Sequence, residues 1–129
     1  MKALLSIKPE FVKEIIEGRK KFEYRKKIFK RKDISSVVVY ATKPYGKVVG
    51  EFEITNILED KIDMLWQETK QASGITEQFF YEYFQDKESG FAIQIKEFKE
   101  YDNHIELSQF DSNIKAAPQS FCYVGGYLD

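Results

Sequence analysis

Gly18-Arg19-Lys20-Lys21-Phe22-Glu23-Tyr24-Arg25 is the stretch that decides how this chain is read. Ahead of it, Pro9 to Glu17 has helical spacing. Pro9 suits a first helical position, and Phe11, Val12, Ile15 and Ile16 recur on one side. Gly18 supplies the stop. From Lys20 to Arg25 the period changes to two: Phe22 and Tyr24 face one way, Lys21, Glu23 and Arg25 the other. The stretch therefore predicts a half-buried strand with a charged face leaving a short helix. Lys20 stands at the mouth of the turn. A carboxylate held between cations stays ionised and orients them. Such a trio can bind a phosphate, or a base edge with Glu accepting from an amino group. The same spacing also fits a ladder of salt bridges with no ligand.

Working outward, Ser36-Val37-Val38-Val39-Tyr40-Ala41 is a β-branched run that predicts a buried strand. Lys43-Pro44-Tyr45-Gly46 is a turn, and Lys47 to Ile54 is the returning strand of a hairpin. Helices are expected over Lys61–Ala72 and from Thr76, a capping residue, through Phe84. Gly90 to Phe98 reads as a strand that continues or bends through Tyr101 toward Ile105. The segment Ala117–Val124 ends in a short strand or a packed turn. The element order α-β-β-β-α-α-β-β predicts an α+β fold with a mostly antiparallel sheet, and five or six strands permit a small barrel.

The chain has 129 residues and fits one domain, 1–129. Hydrophobic residues are 43% and charged residues 32%, which excludes disorder. Net charge is −1, but the distribution is lopsided. Residues 1–32 hold 12 of the 20 Lys and Arg against 4 of the 21 Asp and Glu, a local charge of +8; the remainder carries −9. That split predicts a polyanion-facing patch over Arg19–Lys32, with the acid-rich helices of 59–88 elsewhere. One cysteine, Cys122, excludes an internal disulfide and any multi-cysteine metal site, and with one histidine, His104, no metal or cofactor is expected. No apolar run approaches the roughly 18 residues that span a bilayer. The N-terminus lacks a signal-peptide core, so a cytoplasmic setting is expected. Phosphate-loop, dinucleotide, zinc-protease and hydrolase signatures are absent.

Other residues have two readings each. Ser6 and Lys8 project into the same cleft as the trio if Leu5 and Ile7 face the core; otherwise they are an ordinary strand end. Phe79, Phe80, Tyr81, Tyr83 and Phe84 are mostly core at helical spacing, with base stacking as the minority reading. Phe121 reads as a core plug flanked by Ser120 and Tyr123, Cys122 as a small buried hydrophobe, and His104 as a turn residue.

The spacing Gly18-x-Lys20-x-x-Glu23-x-Arg25 resembles the G-x-K-x-x-E-x-R signature of the ASCH domain. Leu5-Ser6-Ile7-Lys8-Pro9, Val39-Tyr40-Ala41-Thr42, Gly46 to Phe52 and Pro118 to Tyr123 agree with that family in order, so the resemblance covers nearly the whole chain. It implies a PUA-like, mostly antiparallel β-barrel with flanking helices, and a cleft between barrel and helix. It also implies binding of RNA or another nucleic acid or nucleotide, in regulation of transcription or translation. The candidate binding residues are Lys20, Glu23 and Arg25 at the centre and Lys26 and Lys27 along the backbone track. Ser6, Lys8, Tyr40 and Ser120 come from the matching segments.

An enzymatic alternative also follows from the resemblance. One branch of the superfamily is similar to amidohydrolases of N4-acetylcytidine, using a Lys and a Thr of G-x-K-T-x-T-x-R plus a later Glu. Here Lys20 keeps the Lys, but Glu23 stands at the Thr position and Ser73 at the third. Other members look like ribonucleases. There Lys20 and Glu23 can act as acid, base or phosphate ligand without a metal. A third reading is an acidic protein partner docked on the basic face.

Overall fold

The computed structural model describes residues 1–124. The last five residues of the expected 1–129 unit lie outside them. Six strands form one sheet in the order β2-β5-β4-β3-β1-β6. They are β1 (Lys2–Ile7), β2 (Phe22–Arg25), β3 (Ser36–Ala41), β4 (Lys47–Lys61), β5 (Ser89–Ile105) and β6 (Phe121–Val124). The helices are α1 (Pro9–Ile16), α2 (Ile62–Thr69), α3 (Glu77–Tyr83) and α4 (Leu107–Phe110), with a 3-10 turn at Lys70–Ala72 after α2.

The β-branched run explains the centre of the sheet. β3 pairs parallel with β1 and antiparallel with β4. It is buried on both faces: Val37, Val39 and Ala41 join one core with Leu5, Ile7, Val12, Ile15 and Phe52, while Val38 and Tyr40 join another with Leu4, Val48 and Val124. A continuous apolar run is what such a strand requires. Phe22 and Tyr24 of β2 pack with Leu65 and Trp66 of α2, and with Phe80 and Phe84 of the α3 region.

Several expectations need correction. The sheet is not closed into a barrel: β2 and β6 are its two edges. The four residues of β6 pair with β1, and the seam toward β2 is spanned by side chains instead. Phe29 meets Phe121 edge-on with centroids 5.7 Å apart, and the Tyr123 hydroxyl accepts from the Lys30 and Arg31 amides. Strand β1 and helix α4 were missing from the expected order, and β4 runs seven residues beyond Ile54. His104 lies in β5, not in a turn. Its Nε2 is 2.8 Å from Glu100, and its Nδ1 meets the Tyr45 hydroxyl.

Candidate functional site

The charged face of β2 opens into a cleft of about 250 Å³ between α1, α3 and the segment that precedes β6. Lys20, Glu23 and Arg25 all line it. The turn that delivers them is fixed on both sides. Gly18 takes φ +80, the Arg19 and Lys20 amides both bond the Glu14 carbonyl, and the Lys21 amide bonds Ala72. Phe22 and Tyr24 then anchor the strand in the core, which leaves Glu23 and Arg25 aimed at the cleft.

The trio is buried rather than displayed, with Lys20 only 2% exposed. Its Nζ donates to the Ser73 carbonyl at 3.1 Å and lies 3.7 Å from Glu23 Oε1. The ammonium also sits over the rings of Tyr24 and Phe11, at 4.8 and 5.4 Å from their centroids. Burial pushes the Lys20 ammonium below the usual lysine range, and the Glu23 carboxylate opposes that shift. Gly74 permits this packing. It has φ +66, and a Cβ there would lie 2.3 Å from Lys20 Cβ. Arg25 Nη1 donates to Glu23 Oε2 at 3.3 Å, while Nη2 reaches the Ser120 carbonyl at 2.8 Å and its hydroxyl at 3.4 Å. Glu23 therefore stands between two cations, and Arg25 ties the edge strand β2 to the entry of β6. Tyr24 is held from behind: its hydroxyl donates to Thr69 at 2.7 Å, and burial pushes it up to about 12.

The other candidates divide. Ser6 and Lys8 line the same cleft, with Ser6 donating to the Pro118 carbonyl at 2.8 Å. Lys26 lies at the rim, 4.8 Å from the centroid of Tyr83. Ser120 is present through its contact with Arg25, and its neighbour Gln119 lines the wall. Lys27 is exposed outside the lining. Tyr40 packs into the core with Leu4 and Val48 and does not reach this cleft. Lys21 is exposed on a neighbouring surface with Arg19 and Lys70.

Nor is Arg19–Lys32 one uninterrupted positive patch. Arg19 is paired with Glu14 and Glu17, Arg31 with Asp33, and Lys20 and Arg25 are buried. Ser73, which stands at the position of the later Glu, closes its own loop, its hydroxyl donating to the Ile75 carbonyl at 2.8 Å. Sequence reasoning missed Phe11, Ile75 and Gln119 and underweighted Phe79 and Tyr83, which all line the cleft. A signal existed for the last two, since 79 and 83 share a helical side offset by one residue from 80 and 84. Among the described residues no cluster of His, Cys, Asp or Glu could hold a metal ion. Nor, among the described residues, is any helix long and apolar enough to cross a membrane.

Fold and site together define an α+β domain with a mixed, open sheet and one charged, aromatic-lined cleft at its seam. Comparison with known proteins makes this definite. The sequence model of the ASCH domain matches residues 5–121, and the chain belongs to that family. It is similar to an ASCH domain-containing ribonuclease of Zymomonas mobilis, 27% identical over 124 residues, covering 95% of this chain and 83% of that protein. The crystal structure of ASCH from Zymomonas mobilis superposes with TM-score 0.87 at 26% identity, covering 98% of this chain and 89% of that one. The N-terminal domain of Staphylothermus marinus McrB, at 11% identity and TM-score 0.51 over 88% of this chain and 81% of that one, shares the fold alone.

Proposed function

We propose that this chain binds RNA, taking one nucleotide into the cleft against Lys20, Glu23 and Arg25. The carrying observation is the trio itself: two cations and a carboxylate, nearly dry, aimed into an open cleft. A purely structural salt-bridge ladder gains nothing from facing a cavity. A nucleotide supplies what each group seeks. Lys20 and Arg25 donate to phosphate or base oxygens, and Glu23 accepts from a base amino group. At about 250 Å³ the cleft is smaller than the usual pocket for a whole small-molecule ligand and suits a single extruded base. A regulatory role in transcription or translation and a reducing, cytoplasmic setting fit the family and the lone Cys122. So does a single working unit over 1–129.

A second reading has one observation in its favour, the ribonuclease name of the Zymomonas mobilis relative. In that reading Glu23 accepts the proton of a ribose 2′-hydroxyl as its oxygen attacks phosphorus. Lys20, its proton held loosely by burial, protonates the departing 5′-oxygen. An acidic protein partner has less support, because the exposed pairs around Arg19 and Arg31 already neutralise part of the basic face.

The test is titration of RNA at two salt concentrations with wild type and Glu23→Gln, followed by analysis of the RNA for cleavage. Salt-weakened binding that drops by about 1–3 kcal/mol in the variant supports a reading role for Glu23. Equal or tighter binding removes Glu23 from the site. Cleavage that Lys20→Met abolishes, with binding retained, selects the ribonuclease.

A further inference from the structure

The rim of the cleft carries two rings that the core covers only in part. On α3, Phe80 and Phe84 are the buried stripe. Phe79 and Tyr83, one residue out of phase, are only partly buried and line the cleft, Phe79 edge-on to Phe11 and Tyr83 edge-on to Phe84. Their planes lie 11° from parallel with centroids 6.5 Å apart. A cation covers each ring: Lys8 Nζ is 5.1 Å from the centroid of Phe79, and Lys26 Nζ is 4.8 Å from that of Tyr83. The two lysines come from different places, the residue before α1 and the residue after β2, so local sequence does not create the pairing.

On the RNA reading above, we propose that Phe79 and Tyr83 form a platform for two successive bases of a single-stranded RNA, with Lys8 and Lys26 turning to the flanking phosphates. An ammonium over a ring in water is held weakly, whereas a base stacked on the same ring is held more strongly. A base therefore displaces the lysine, and the freed lysine meets the phosphate that arrives with it. Strandedness follows from the spacing. Bases in an RNA duplex are stacked on their neighbours, which hides their faces. Two rings 6.5 Å apart in near-parallel planes call for splayed bases with free faces. Only a single strand offers those.

The experiment is fluorescence anisotropy with a labelled RNA of about ten nucleotides, alone and annealed to its complement. Wild type is expected to prefer the single strand by at least about ten-fold. Phe79→Leu and Tyr83→Leu, which keep apolar bulk, are each expected to weaken single-strand binding by about ten-fold. Tyr81→Leu, an exposed ring on the same helix that is engaged with Asp63 instead, is expected to change nothing. Lys8→Met and Lys26→Met are each expected to flatten the salt dependence by about 0.7 in slope. Equal affinity for single strand and duplex overturns the platform. So does wild-type affinity in both leucine variants while Lys20→Met loses binding, and in that case the cleft reading survives without it. Failure of wild type to bind either RNA overturns both. If a leucine variant does not fold, the strand preference and the lysine slopes still decide.

Discussion

Two groups of ion pairs, only a few residues apart in sequence, behave as opposites. Arg31 and Asp33 pair through two hydrogen bonds of 2.9 and 2.8 Å, with both side chains about half exposed. The bond to Arg31 holds the Asp33 carboxyl low, at about 2. Lys20, Glu23 and Arg25 have looser spacings of 3.7 and 3.3 Å, yet are almost wholly removed from water. The better geometry belongs to the pair that matters less. Water screens an exposed pair and offers its members an alternative, whereas a buried charge has no alternative. Distance alone is therefore a poor guide to which charges the fold depends on.

The strongest way to break this comparison is Glu23→Ala, which leaves two buried cations without their shared anion. It is expected to lower stability by about 3–5 kcal/mol, read as the midpoint of urea unfolding. A change below about 1 kcal/mol would show that water enters the trio freely. Next is Gly74→Ala. The added methyl meets Lys20 and the backbone must hold a positive φ, so a loss of about 3 kcal/mol is expected. RNA binding should fall with it, because Lys20 is what must move.

Proton linkage sharpens the contrast with a smaller effect. Burial makes Lys20 release its proton more readily in the folded chain than in the unfolded one, so stability rises with pH on the approach to 10.5. Lys20→Met should abolish that rise. Tyr24 has the opposite sign. Its hydroxyl titrates at about 12 when folded, against 10.0 when free. Its contribution is complete below pH 10 and is lost as pH climbs through 12. Tyr24→Phe should flatten that alkaline decline and, through the lost bond to Thr69, lower neutral stability by about 1 kcal/mol. The smallest effect belongs to the exposed pair: Arg31→Ala is expected to leave the urea midpoint unchanged, and a clear shift would undo the comparison.

The residues that could be read without a structure are those whose pattern is local. Ser36–Ala41 announces a strand by β-branching, and positions 22 to 25 announce theirs by alternation. Thr76 announces a helix start that its hydroxyl makes, accepting from Phe79 at 3.0 Å. What stayed hidden depends on partners far along the chain. The parallel union of β1 with β3 leaves no trace in either segment, and nothing in Thr55–Lys61 says that β4 continues beside β5. The open seam was illegible because it turns on which strand β6 chooses. At the site, the signature delivered Lys20, Glu23 and Arg25 together. Two helical stripes one residue apart could not be told apart without knowing where the cleft lay.

The seam also gives the molecule an order of assembly. Every wall of the cleft except one is encoded before residue 90. The last, Gln119 and Ser120, follows by some thirty residues, and β6 must return across the chain to set Leu4 opposite Cys122. A ribosome making this protein releases the helices, the lysine and its carboxylate first, with Arg25 still lacking the carbonyl it will grip. Contacts so distant in sequence form late. The parts of the cleft thus wait first for β5, which pairs β2 into the sheet, and then for the entry of β6, which brings the carbonyl that Arg25 grips.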